Sequence, residues 1–113
     1  NDSRLQAEVD KEAGELDFFV ESQGYSGMGD IYLEKEAWGI AYHSLSKMYH
    51  TLKGEFLLED RSDGRCFLKF YFEGRILMVK GRFQDYFDNK LEFIFRADQT
   101  LLGLLLVLIK KML

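Results

Sequence analysis

The sequence predicts an α+β domain: an antiparallel sheet of about six to seven strands, one helix after the third strand, and an apolar helix at the C-terminus. Three observations carry this. The 113-residue chain has no Pro and ten Gly, most of them between patterned segments, which suits one domain spanning 1–113. Apolar and polar residues alternate over most of the length with the period of a half-buried strand, and only between Glu34 and Leu52 does the period lengthen to three and four. The links between alternating runs are short, so neighbouring strands must be antiparallel.

Leu5, Ala7 and Val9 alternate with Gln6, Glu8 and Asp10, and Leu16, Phe18 and Val20 alternate with Glu15, Asp17 and Glu21. With Glu12-Ala13-Gly14 between them, they read as a hairpin. Gly24-Tyr25-Ser26-Gly27-Met28-Gly29 reads as a glycine-rich loop before a short strand at Asp30 to Leu33. Trp38, Ala41, Leu45, Met48, Tyr49 and Leu52 then line one side of a helix that Gly54 ends. Glu55 to Glu59 turns at Arg61-Ser62-Asp63-Gly64 into Cys66 to Phe72. Glu73-Gly74 turns into Ile76 to Phe83, and a loop from Gln84 to Asn89 leads to Leu91 to Arg96. Asp98 is placed to cap a helix from Gln99 to Met112, with Lys110 and Lys111 against the negative end of its dipole. That helix is apolar nearly all round, which predicts burial on more than one side or a contact between copies, so the expected state is a monomer or a weak homo-oligomer.

A two-residue loop at Glu73-Gly74 would set Phe72 opposite Arg75, Phe70 opposite Leu77 and Leu68 opposite Val79. Leu68, Phe70, Phe72, Leu77, Val79 and Phe83 then share the core face, continued by Leu91, Phe93 and Phe95 and covered by the two helices.

Composition narrows the function classes. Hydrophobic residues at 47% and aromatic residues at 15% exclude a disordered or fibrous chain. The single Cys66 excludes a disulfide framework and a multi-thiolate zinc site, which suits a reducing compartment. The most apolar run, Leu101 to Ile109, is about half of a bilayer span. The start, Asn1-Asp2-Ser3-Arg4, has neither the apolar core of a secretory signal nor an initiator Met, so a trimmed start and a cytoplasmic location are expected. No membrane partner is expected.

The residues that could carry chemistry are few. His43 and His50 lie seven apart on one helical stripe, about 10.5 Å of rise, too far to share an ion. Gly24-x-x-Gly27-x-Gly29 precedes a strand, whereas a phosphate loop needs the N–H groups of a following helix. The Asp60 to Arg65 segment lacks calcium-loop ligands and reads as a hairpin turn. Cys66 falls on the core face, and Asp85, Asp88 and Glu92 read as surface loop carboxylates. Nothing resembles an active site, so the expectation is a non-enzyme without metal or cofactor.

Two surface patterns are more informative. Glu8, Asp10, Glu12, Glu15, Asp17 and Glu21 point the same way on the first hairpin, with Phe19 among them as an exposed aromatic anchor. Residues 1–36 hold ten acids and three bases, net −7, and 37–113 hold nine acids and twelve bases, net +3. Facing like charges destabilise a sheet, so this acidic face points to a basic partner; a solubilising edge hairpin is the alternative. The second pattern is the other face of the central strands, where Phe67, Lys69, Tyr71, Ile76, Met78, Lys80, Arg82, Ile94 and Arg96 mix bases with apolar groups. RNA-binding sheets look like this, but Lys80-Gly81-Arg82-Phe83 departs from the RNA-recognition signature and the chain is acidic, at −4. Direct nucleic-acid binding is therefore not the expectation.

Taken in order, Asp17-Phe18-Phe19-Val20 before Gly24 to Gly29, the helix ending Leu52-Lys53-Gly54, Phe56-Leu57-Leu58-Glu59, Val79-Lys80-Gly81, and Leu91 to Phe95 followed by Asp98-Gln99-Thr100-Leu101 resemble the WapI-type small immunity proteins. The likeness runs from about residue 5 to the C-terminus, and order and spacing carry it. It implies a bacterial cytoplasmic protein of contact-dependent or polymorphic toxin systems, one that binds and neutralises a cognate toxin domain, often a nuclease. The resemblance itself assigns no contact residue; the acidic surface pattern makes Glu8, Asp10, Glu12, Glu15, Asp17, Phe19 and Glu21 the expected toxin contact. The alternative is a small binding module or accessory subunit that takes an anionic ligand or RNA on Lys69, Tyr71, Lys80, Arg82 and Arg96.

Overall fold

The computed structural model describes residues 3–62, 64–84, 87 and 89–113. Its strands are β1 (Arg4–Asp10), β2 (Glu15–Ser22), β3 (Tyr25–Tyr32), β4 (Glu55–Glu59), β5 (Phe67–Glu73), β6 (Ile76–Gln84) and β7 (Lys90–Ala97), with helices α1 (Lys35–Thr51) after β3 and α2 (Thr100–Lys110) after β7. All the pairings are antiparallel, but the strands form two sheets in place of the single one expected: β1-β2-β3 and β4-β5-β6-β7. The division falls at α1. At the end of β3, just before it, the Tyr32 N–H donates to the Asp60 carboxylate (3.0 Å), and the Tyr32 carbonyl accepts from the Arg61 N–H (2.9 Å). β3 touches β4 without pairing with it.

Asp60 is the buried charged residue that makes this join, and the sequence presented it only as part of a turn. Its carboxylate also accepts from the Ser62 N–H (3.3 Å) and the Ser62 hydroxyl (2.8 Å), which satisfies a charge that burial alone would penalise.

The glycine-rich segment is not a loop. It is most of β3, and the turn before it is the two-residue Gln23-Gly24, both at positive φ (53° and 84°) as a type I′ hairpin requires. Gly27 and Gly29 occupy the inner face, where a Cβ would lie 2.8 Å from Leu91 Cδ2 and 2.5 Å from Phe83 Cδ1. They are strand glycines that let β3 approach the second sheet closely.

The expected core face is present: Leu68, Phe70, Leu77, Val79 and Phe83 are buried, with Phe72 half-buried. The register differs from the expected one by two residues, pairing Phe72 with Leu77, Phe70 with Val79 and Leu68 with Gly81. The loop is therefore Gly74-Arg75, with Gly74 at φ 61° as the first central residue of a type II′ turn. A shift of two preserves every face, which is why the core assignment survives.

Trp38, Ala41, Leu45 and Met48 form the buried stripe of α1, and the Trp38 indole donates to the Gly14 carbonyl (2.9 Å), tying the helix to the β1–β2 turn. Leu52, at φ 55°, closes the helix by donating to the Met48 carbonyl (2.8 Å), two residues before the Gly54 expected to end it. The helices do not jointly cover one sheet: α1 packs on α2 and β4, and α2 on α1 and β1. In α2, Leu102, Leu105 and Ile109 are buried, whereas Leu104 and Val107 are exposed, so burial is one-sided. The helix begins one residue later and ends two earlier than expected, its last turn tightening as Lys111 and Met112 donate to Leu108 and Ile109. No helix among the described residues is long and apolar enough to cross a membrane.

Candidate functional site

The acidic face belongs to three strands. On the outer side of β1-β2-β3 the register builds four rungs: Arg4–Glu21–Ser26, Gln6–Phe19–Met28, Glu8–Asp17–Asp30 and Asp10–Glu15–Tyr32. Glu8, Asp10, Glu15 and Asp17 are brought together as their alternation predicts. Glu12 lies on the turn from Lys11 to Gly14, beyond the rungs. Glu21 closes the opposite end in an ion pair with Arg4 (2.7 Å). Phe19 is half-buried, not the exposed anchor expected; its neighbour Met28 presents the apolar surface at 76% exposure.

Asp30 is the member the sequence reading missed, because the segment before it read as a loop. Strand period alone, extended back to Tyr25, would have found it.

Burial and charge crowding together raise two of the carboxyls in these rungs. The Asp17 carboxyl is pushed up to about 6, first by burial against the sheet, then by its hydrogen bond with Asp30 and by the charges of Asp30, Glu15 and Asp10. The Glu15 carboxyl is also raised, first by burial and then by Asp30, Asp10 and Asp60. Along these two rungs the fold holds like charges together at a cost to its stability.

The outer side of the second sheet carries the other candidate residues. Its rungs are Glu59–Phe67–Arg82–Glu92, Leu57–Lys69–Lys80–Ile94 and Glu55–Tyr71–Met78–Arg96. Lys69, Tyr71, Lys80, Arg82 and Arg96 do share a face, but Glu55, Glu59, Glu73 and Glu92 share it with them. Lys69 pairs with Glu55 (3.0 Å) and lies over the Tyr71 ring (5.7 Å), and Arg82 stacks on Phe67 (5.4 Å). The face is thus mixed in charge; β4 and β7 bring in acids beside the Glu73 that β5 itself carries.

Beside this face an open cleft of about 640 Å³ lies between the β2–β3 turn (Ser22, Gln23, Tyr25) and Lys80, Arg82 and Leu91 to Ile94. The Arg82 Nε is buried there with no hydrogen-bond partner among the described residues.

His43 and His50 are exposed on α1, Cys66 is buried and in no disulfide, and Glu92 is exposed on β7. Asp63, Asp85 and Asp88 lie outside the described residues. No group of three or more His, Cys, Asp or Glu placed to hold a metal occurs among the described residues.

Comparison with protein-family models, curated proteins and solved structures finds no match. The functional reading therefore rests on the surface chemistry of this chain and on the order of motifs in its sequence.

Proposed function

We propose that this protein is an immunity protein, which binds and neutralises a cognate bacterial toxin domain by stoichiometric contact through the outer face of β1-β2-β3. The Glu8–Asp17–Asp30 rung carries the reading. Three facing carboxylates, one of them titrating near 6, repel one another in the free protein, and a cationic partner would relieve that repulsion on binding. A nuclease offers such a surface, since it is built to receive a polyanion. Met28 and Phe19 beside the rung supply apolar contact, and the resemblance in order and spacing to WapI-type immunity proteins favours the same role.

The partner to test is a toxin domain from the neighbouring reading frame, where that frame encodes a large secreted protein with a variable C-terminal domain. Titrating the protein into a fixed amount of that toxin domain should give an equivalence point near one to one. Binding with a Kd of about 1 nM or tighter is complete at micromolar concentration, so the break should be sharp. Full protection at a small fraction of one equivalent would instead indicate turnover and overturn the reading.

A second reading, an anionic ligand or RNA on the outer face of β4-β5-β6-β7, is favoured by the orphan Arg82 Nε in its cleft. The acids Glu55, Glu59 and Glu92 on the same face weaken it. RNA binding that is lost in Arg82→Ala and falls steeply with salt would support this second reading.

A further inference from the structure

β1 packs against α2, β4 against α1, and β3 is tied to the β4–β5 turn through Asp60 and Arg61, whereas β7 has β6 as its main packing partner. The far edge of β7 is an eight-residue strand with no Pro and one row of backbone N–H and C=O groups directed away from the sheet. Such an edge is a template for another strand, and the sequence along it states which one.

Antiparallel pairing of β7 with a second β7, centred on Ile94, sets Ile94 against Ile94, Glu92 against Arg96, and Lys90 against the Asp98 that follows the strand. By symmetry each charge pair occurs twice, and every pair joins opposite signs. On the inner side the same register sets Phe93 against Phe95 and Leu91 against Ala97. Cross-strand partners lie on the same face, so apolar meets apolar inside and charge meets counter-charge outside. Lys90 and Glu92 already form an ion pair within the chain (3.2 Å), and Ile94 is 53% exposed, available to be covered at the two-fold axis. The same operation on β4, centred on Leu57, would set Glu55 against Glu59 and repel.

We propose that β7 is a self-recognition edge, through which two copies of this chain join in a two-fold dimer with one continuous eight-stranded sheet. An isologous contact of this kind closes on itself, so association stops at two. The acidic face lies on the other sheet of each copy and is not part of this contact.

The test is sedimentation equilibrium on the full chain from about 1 to 200 µM, a range that resolves micromolar association. The expected result is a monomer–dimer equilibrium. Glu92→Arg places like charges opposite Arg96 twice and should weaken the dimer about tenfold or more, and the double variant Glu92→Arg/Arg96→Glu should restore it to within about threefold. Circular-dichroism melts check that each variant folds. Ile94→Lys, at an exposed position that sets two lysines together on the axis, is the second disrupting variant should Glu92→Arg not fold. A wild-type protein monomeric over the whole range would overturn the proposal. So would a dimer indifferent to these substitutions, a double variant no tighter than the single one, or an open-ended series of oligomers.

Discussion

Asp17 and Asp60 are acids that the same fold treats in opposite ways. Asp60 is buried and its carboxylate is filled with backbone and hydroxyl donors, so its charge is satisfied where it stands. Asp17 is placed among other acids, and its carboxyl is pushed up to about 6 by burial, then by Asp30 and its acidic neighbours. The ordinary aspartate value is about 3.9, so between about pH 4 and 6 the folded state binds more protons at this site than the unfolded state. Stability therefore falls as pH rises through that window, and the penalty is fully present at neutral pH. Asp17→Asn removes the charge and the penalty together. Thermal unfolding should show the variant melting above wild type at pH 7.5, with the difference closing below about pH 4. A variant less stable than wild type at neutral pH would mean that the ionised carboxylate makes a favourable contact.

Among the elements, β3 and α2 show how local chemistry is completed or overruled by packing. Glycines weaken a strand in isolation, yet Gly29 is required in β3 because the Phe83 ring occupies the space of its missing side chain, and Gly27 lets the Leu91 side chain pack close. At α2 the local signal is sufficient: Asp98 Oδ1 accepts the Thr100 N–H (2.9 Å), one of the donors that a helix start leaves without a partner. Gln99 occupies the formal cap position without a side-chain bond, so Asp98 serves that N-terminus from one residue farther out. Asp98→Ala should cost about 1 kcal/mol in denaturant unfolding and leave affinity for the proposed toxin partner unchanged. Full stability combined with lost binding would assign Asp98 to the interface instead.

For the molecule as a whole, charge is segregated between two sheets. The first sheet's outer face is acidic and crowded, while the second pairs most of its bases with acids or aromatic rings. The first face should therefore govern association with a basic partner through long-range attraction, which salt screens. On the proposed function, reversing Glu8 and Asp17 to Lys should lower the association rate with the toxin domain about tenfold or more at low salt, and flatten its salt dependence, while the fold persists. An unchanged association rate in stopped-flow mixing would move the contact to the outer face of β4-β5-β6-β7.

The antiparallel pairing, the helix from the mid-thirties to about residue 51, the core face of the central strands and most of the acidic face were all legible in the sequence. Each follows from a local rule: side-chain period, turn chemistry, or the alternation that returns Glu8 and Asp10 to one side of a strand. Even the misplaced Glu73-Gly74 turn left the core intact, since a register shift of two returns each residue to its own face. What only the tertiary structure decided were matters of who meets whom at long range. Two sheets stand in place of one, and where β3 meets the β4–β5 turn the Asp60 carboxylate takes the Tyr32 N–H. The glycine-rich segment is a strand because side chains from a sheet some sixty residues later in the chain fill its surface. Asp30 joins the acidic rung, and Glu55, Glu59 and Glu92 dilute the basic face, through pairings between strands. Alternation says which side of its own strand a residue occupies, and only the register between strands says which charges it will face.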